Sequence, residues 1–216
     1  VFGADALDSG EIFIKGQPVA INSPRDAVEH GIGYLSEDRK RYGLAVGLDV
    51  ESNIALASFT QFIGMLGMVN GDKIRATADH YVSALAIKTP SIQQRVRNLS
   101  GGNQQKVVIS KWLMSNPKVL IMDDPTRGID VGAKAEVHAL MSRLAQQGLG
   151  ILMISSELPE IVGMSDRVIV MCQGRVTGEF SREEINQESI MTAATKFLAM
   201  DAKDEVKSAA SAASPA

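Results

Sequence analysis

The sequence predicts an α/β protein, with a parallel sheet core and an α-helical insertion. Residues 119–122 and 150–154 are unbroken apolar runs, the pattern of strands buried on both faces of a parallel sheet. Between them, residues 133–147 place Val137, Leu140, Met141 and Leu144 on one helical face. Strand, helix, strand at this spacing is a βαβ crossover. From about residue 51 to residue 115 the pattern is helical and strand signals vanish, which marks an inserted α-helical subdomain.

The other elements follow in chain order. Gly10-Glu-Ile-Phe-Ile-Lys-Gly16, then Pro18-Val-Ala-Ile21, reads as two short strands around a Lys-Gly-Gln turn. Ser23 is an N-cap with proline at N1, and Gly31 closes the short helix it starts. Residues 33–36 form a strand that runs into a charged loop, Glu37-Asp-Arg-Lys-Arg41. After residue 154 come a helix at 158–163, a strand at 167–171, a Gln173-Gly174 turn, a strand at 175–180 and a closing helix at 182–200. Domain and tail divide at about residue 200: from Lys203 the chain is Ala, Ser, Lys, Asp and Glu without apolar periodicity, so 201–216 is expected to be disordered.

Composition narrows the function. The 216 residues are 45% apolar, enough for a real core. A net charge of −3 gives no reason to expect nucleic acid. The one cysteine, Cys172, excludes an internal disulfide framework and reads as a core thiol. The N-terminus has neither the basic start nor the long apolar segment of a signal peptide. The most lipid-like stretch, residues 62–69, is far short of the ~20 apolar residues a spanning helix needs. The expectation is a soluble protein whose membrane role, if any, comes through a partner.

Two motifs carry chemistry. Residues 99–106 read Leu-Ser-Gly-Gly-Asn-Gln-Gln-Lys. The Ser100 hydroxyl can cap the helix that begins near Asn103, and Gly101 and Gly102 let backbone N–H groups approach an anion with no Cβ in the way. A lone Ser-Gly-Gly would be a surface turn. The second motif is Val119-Leu-Ile-Met-Asp-Asp-Pro-Thr126, an apolar strand ending in two aspartates. Helix capping at Pro125 would explain the aspartates but not the four apolar residues before them.

In this order and at this separation the two motifs resemble the signature and Walker B motifs of ABC-transporter ATPases, a P-loop-NTPase-type fold. The resemblance covers about residues 1–198. It implies ATP and Mg²⁺ as cofactors. Ser100, Gly101 and Gly102 would contact the γ-phosphate of ATP held by an opposite cassette, and Gln104 would be a further ATP-binding residue. Asp123 would hold the Mg²⁺ water shell. Asp124 stands where the family has the glutamate that polarises the attacking water, with the same charge and one methylene less reach. Arg127-Gly-Ile-Asp130 matches the D-loop, whose Asp130 would bridge the two nucleotide sites. Ile154-Ser-Ser-Glu-Leu158 matches the switch segment, with Ser156 in place of a histidine; a serine donates a hydrogen bond but cannot carry imidazolium charge. Glu37 falls in the Q-loop glutamine's place. The histidines present, His30, His80 and His138, lie in helical segments away from this spot. As charge alone, residues 38–41 would be a solvated loop; between two subdomains, a coupling role is the better reading.

Glu37-Asp-Arg-Lys40, Pro125-Thr-Arg-Gly-Ile-Asp130 and Ser155-Ser-Glu-Leu-Pro-Glu160 are similar to the C-terminal ATPase cassette of monosaccharide importers of the ribose/galactose/xylose class. No stretch fits Gly-x-x-x-x-Gly-Lys-Ser/Thr, and the chain begins where the helix after that loop should end, so the expectation is an N-terminally truncated cassette. The class implies the ATP-binding subunit of a bacterial carbohydrate importer, peripheral on the cytoplasmic face of the cell membrane. Its partners would be a second ATPase cassette, in cis or as a dimer, membrane permease subunits, and indirectly a periplasmic sugar-binding protein. Two alternatives stay open: a degenerate regulatory half-site that completes a partner's ATP site without hydrolysing ATP, and an inactive fragment. A non-transport ABC ATPase usually adds coiled-coil arms or basic extensions, and neither is seen. Phe59, Phe62, Ile63 and Met65 could face the permease or pack inside the α-helical subdomain.

Overall fold

Lys15 and Gly16, with φ of 52° and 74°, turn the chain between β1 (Ile12–Ile14) and β2 (Gln17–Val19), which pair antiparallel as expected. The computed structural model describes residues 1–197, so the tail 201–216 and the end of the expected closing helix lie outside the described residues. Ser23 accepts from the Asp26 N–H and Pro24 opens α1 (Pro24–Glu29); Gly31, at φ 82°, leads out of it into β3 (Ile32–Leu35).

The charged stretch after β3 is a loop only as far as Asp38. One Asp38 carboxylate oxygen accepts from the N–H groups of both Lys40 and Arg41, 3.1 Å each, and this cap starts a wide π turn over Arg39–Gly43. Beyond it the helical region is as predicted in kind. Asp49 caps α2 (Val50–Ala55), a 3₁₀ turn covers Leu56–Phe62, Asn70 caps α3 (Gly71–Ala84), and a second 3₁₀ turn spans Val96–Asn98. Phe62 is buried with the Lys73 ammonium over its ring, whereas Phe59, Ile63 and Met65 are exposed. Packing inside the subdomain therefore accounts for Phe62 and not for the other three.

The next helix, α4 (Gly101–Leu113), begins two residues before the expected Asn103 because Ser100 caps it. Its sequence reads as polar, yet every residue from Gln104 to Lys111 is buried. Burying polar groups is tolerated when each finds a partner. Lys106 donates to Ala86 O and Glu136, Ser110 to Lys106 O, and Lys111 to Gly43 O.

β4 (Val119–Asp123), α5 (Val131–Gln146) and β5 (Gly150–Ile154) form the predicted crossover, but β5 is not buried on both faces as expected: it is the edge strand of the three-stranded sheet, and Leu152 and Ile154 are exposed. β4 pairs parallel with β3 on one side and with β5 on the other, with Tyr34 opposite Ile121 and Asp123 opposite Ile154. Leu35, Leu120 and Met122 are fully buried, and Val137, Leu140, Met141 and Leu144 are the buried face of α5.

The chain divides into two units, Val1–Ile154 and Ser155–Ala216. In the second, α6 (Leu158–Met164) precedes an antiparallel pair, β6 (Arg167–Cys172) and β7 (Arg175–Ser181), joined by Gln173-Gly174 with φ of 50° and 75°. The closing helix α7 (Gln187–Ala194) is shorter than predicted. Glu184 turns back onto the Ser181 N–H and hydroxyl, and Asn186 caps the helix five residues after the expected start. Val168 and Val170 pack with Ile190 and Ala193 to make this unit's core, and Cys172 is a buried free thiol. Among the described residues, no helix is long and apolar enough to cross a membrane.

Candidate active site

Parallel strands present their ligand-handling groups beyond their carboxyl ends. At that edge of β3 and β4 stand Glu37, Asp123 and Asp124, all three among the predicted site residues. Asp123 is half-buried, and the phenol of Tyr34 on β3 donates to its Oδ2 at 3.1 Å. Burial, and then the neighbouring Asp123 carboxylate, push the Tyr34 phenol above its ordinary value. Asp124 follows at φ 42°, a left-handed conformation that aspartate tolerates better than most residues. Its N–H donates to Ile154 O at 2.8 Å, and its carbonyl accepts from the Arg127 N–H at 3.0 Å.

The Ser100–Gly102 turn lies against the loop after Asp124. Ser100 Oγ accepts from the Asn103 side-chain amide at 2.9 Å and from its N–H at 3.5 Å, while the first-turn N–H groups of Gly101 and Gly102 have no intrahelical acceptor. A Cβ on Gly101 would sit 2.8 Å from Arg39 Nη2 and 3.2 Å from Gly128 O; one on Gly102 would sit 2.5 Å from the Ala133 Cβ. The glycines thus have a reason beyond anion approach: they let α4 close onto the 124–130 loop and α5. Gln104 is turned inward. It is buried, and its amide donates to Val96 O at 3.2 Å and Leu99 O at 3.1 Å, so in this arrangement it holds the turn that presents Ser100. Asp130 is exposed and caps α5, accepting from the Ala133 N–H at 2.9 Å.

Three contributors escaped the sequence reading. The Arg39 guanidinium donates through Nη1 to Arg127 O (2.7 Å) and through Nη2 to Gly128 O (3.1 Å). Arg127 in turn makes a salt bridge with Glu37. Tyr34 reads in the sequence as one more strand residue, with nothing to mark its phenol. Arg39 and Arg127 lie inside motifs that were noticed, Glu-Asp-Arg-Lys and Pro-Thr-Arg-Gly-Ile-Asp, and an arginine at a fixed place in both is the signal that could have found them.

Ser156 belongs to the second unit, where it is exposed. Beside it Ser155 donates to the buried Glu160 carboxylate at 2.5 Å and accepts from the Glu157 N–H at 3.0 Å, which shapes the turn into α6. His30, His80 and His138 lie at the end of α1, on α3 and on α5.

A profile described as ABC transporter matches residues 2–127, more than half of the chain. The chain belongs to the ABC transporter family. Over 196 residues it is 57% identical to a provisionally named ribose/galactose/methyl galactoside import ATP-binding protein 1 of Burkholderia lata, covering 91% of this chain and 38% of that protein. It is 56% identical to a xylose import ATP-binding protein of Thermoanaerobacter pseudethanolicus, covering 90% and 39%. The chain therefore spans less than two fifths of the length of these relatives. Among solved structures, a nucleotide-free ATP-binding cassette from an ABC transporter matches with a TM-score of 0.73 at 20% identity, covering 88% of this chain and 76% of that one. A dimeric post-hydrolysis cassette bound to ADP and Pi matches with a TM-score of 0.68 at 21% identity, covering 82% and 75%. At such identities the likeness shows the fold, that of the ABC ATPase cassette: a parallel sheet of P-loop NTPase type with its helical subdomain.

Proposed function

We propose that this chain is part of the ATP-binding subunit of a bacterial carbohydrate ABC importer, in which ATP binding and hydrolysis drive monosaccharide uptake. The observation that carries the reading is the convergence of Asp123, Asp124 and Glu37 at one edge of the sheet, with the Ser100–Gly102 turn tied to the same loop. The sugar class is supported by the relatives' names, which speak of ribose, galactose and xylose import.

In this reading the Ser100 hydroxyl and the N–H groups of Gly101 and Gly102, at the positive end of α4, meet the γ-phosphate of ATP held on a second cassette. Asp130 reaches toward that second site. Asp123 suits a divalent cation: its hydrogen-bond partner is a neutral phenol rather than a cationic side chain, so its charge is not already neutralised. When bound, Mg²⁺ would offset the phosphate charge. Asp124 takes the proton of the attacking water, and Glu37 contributes a hydrogen bond around it. The subunit is peripheral on the cytoplasmic face, fed indirectly by a periplasmic sugar-binding protein. Exposed Met65, Leu66 and Met68 supply the apolar tip that would touch the permease.

The test is ATP hydrolysis by the protein expressed from its whole reading frame, with its permease in vesicles. Asp123→Asn is expected to abolish sugar-stimulated hydrolysis, and full activity in that variant would sink the reading. A second reading, a regulatory half-site, is favoured by the Glu37–Arg127 pair, which occupies Glu37 elsewhere than at a water. Single-turnover hydrolysis with each of the two cassette sites disabled in turn separates the two readings.

A further inference from the structure

We infer that Arg39 is a positioning residue that latches the 124–130 loop to the Ser100–Gly102 turn; only its kinetic consequence rests on the function proposed above. Its fork donates to two successive carbonyls, Arg127 O at 2.7 Å and Gly128 O at 3.1 Å. The same Nη2 lies where a Gly101 side chain would begin, 2.8 Å from its ideal Cβ, so no side chain separates the guanidinium from the turn. Arg39 thus touches both halves of the candidate site from a third segment, the π turn after β3.

This placement is unfavourable for an arginine in other respects. Burial lowers the guanidinium below its ordinary value, against the opposing charge of Asp38. Its Nε is buried with no hydrogen-bond partner. A buried donor left unsatisfied costs stability, a cost that the two hydrogen bonds of the fork offset. Lysine could replace it only in part, since an ammonium lacks the planar pair of donors that matches two neighbouring carbonyls.

The latch acts on the reacting groups through the loop it holds. Arg127 N–H donates to Asp124 O at 3.0 Å, and two residues beyond Gly128 the Asp130 carboxylate caps α5. The Glu37–Arg127 salt bridge ties the same loop to the same segment. Releasing Arg39 would let Asp124, Asp130 and the Ser100–Gly102 turn move relative to one another while each keeps its own local structure.

The test compares wild type, Arg39→Met and Arg39→Lys in the protein expressed from its whole reading frame. In Arg39→Met, amide exchange of a peptide spanning residues 125–134 should quicken about tenfold, the effect of losing a charge-assisted hydrogen bond, while peptides from the second unit stay unchanged. In the same variant kcat for ATP hydrolysis should fall at least about tenfold, with KM changed less than about threefold, and Arg39→Lys should recover part of it. Unchanged exchange at 125–134 overturns the latch. Faster exchange with unchanged kcat overturns its positioning role. If Arg39→Met does not fold, Arg39→Lys should show both effects in smaller degree, and neither effect in it overturns the inference. Wild-type protein without ATPase activity would instead defeat the functional reading, and exchange would still decide the latch.

Discussion

Tyr34 and Asp123, on adjacent parallel strands, are joined by a 3.1 Å hydrogen bond from phenol to carboxylate at the carboxyl edge of the sheet. The bond orients an acidic side chain without neutralising it, which is what the cation role proposed for Asp123 requires. Phe2 packs on the same Tyr34 ring, with centroids 5.3 Å apart, so the phenol is held from behind by apolar contact.

Tyr34→Phe keeps that packing and removes the bond. The expected loss is about 1 kcal/mol of stability, the ordinary net worth of a hydrogen bond. A second consequence appears in alkali. The folded state raises the Tyr34 pKa, so above the unfolded value of about 10 the unfolded chain releases its proton first. The contribution of this group is therefore fully present below about pH 10 and is lost as pH rises further. Urea titrations from pH 8 to 11 should show a shallower alkaline decline in Tyr34→Phe than in wild type. Parallel curves would mean that burial and the Asp123 carboxylate do not raise the phenol.

Lys111 works in the opposite sense over a lower range. Burial lowers its ammonium from 10.5 to about 8, even though it donates to Gly43 O and lies 4.9 Å from the Trp112 ring centroid. Between about pH 8 and 10.5 the unfolded state binds more protons than the folded one, so stability rises with pH across that window. Lys111→Met should lack this rise. Plotting wild-type minus variant stability against pH isolates the lysine; a flat difference would show that Lys111 keeps its ordinary proton affinity.

Gly102→Ala should destabilise the protein by about 1–3 kcal/mol, the usual range for overpacking, because the new Cβ would lie 2.5 Å from the Ala133 Cβ. The double variant with Ala133→Gly should recover part of the loss, since it removes the opposing atom while placing a glycine in α5 at a cost of about 1 kcal/mol. Thermal unfolding of the two variants checks this. No recovery in the double variant would mean the contact is not what excludes a side chain at position 102.

Local signals made most of the frame legible. The apolar runs of β4 and β5 and the one-sided apolar face of α5 specify the crossover without tertiary help, although only β4 is buried as its run implies, and Ser23-Pro24 and Gln173-Gly174 specify their helix start and turn. The π turn over Arg39–Gly43 was hidden because its cap, Asp38, is one charge among several. Deep burial of α4 was hidden for a related reason: Gln104, Lys106 and Lys111 are polar in sequence, and only the folded chain supplies the carbonyls and the Glu136 carboxylate that accept from their N–H donors. In the site, Asp123, Asp124 and Ser100–Gly102 announce themselves by motif. The arginine and tyrosine contacts depend on pairings across about ninety residues of chain, which no local pattern encodes.

Asp124→Glu tests whether reach limits hydrolysis at this site. The charge is kept and Asp123 is untouched, so ATP affinity should stay nearly constant in the protein expressed from its whole reading frame. The added methylene carries the carboxylate toward the attacking water, and a well-placed base contributes about 10²–10⁴-fold. One feature of this chain holds the expected gain to the low end of that range. The backbone at position 124 sits at φ 42°, where aspartate is better tolerated than glutamate, so part of the added reach is offset by strain and a small drop in thermal midpoint should accompany it. Turnover measured with the partner cassette's site disabled decides the matter. A flat or lower rate would mean that Asp124 already lies within reach of its water or does not act as the base, and that the missing methylene is not what distinguishes this site.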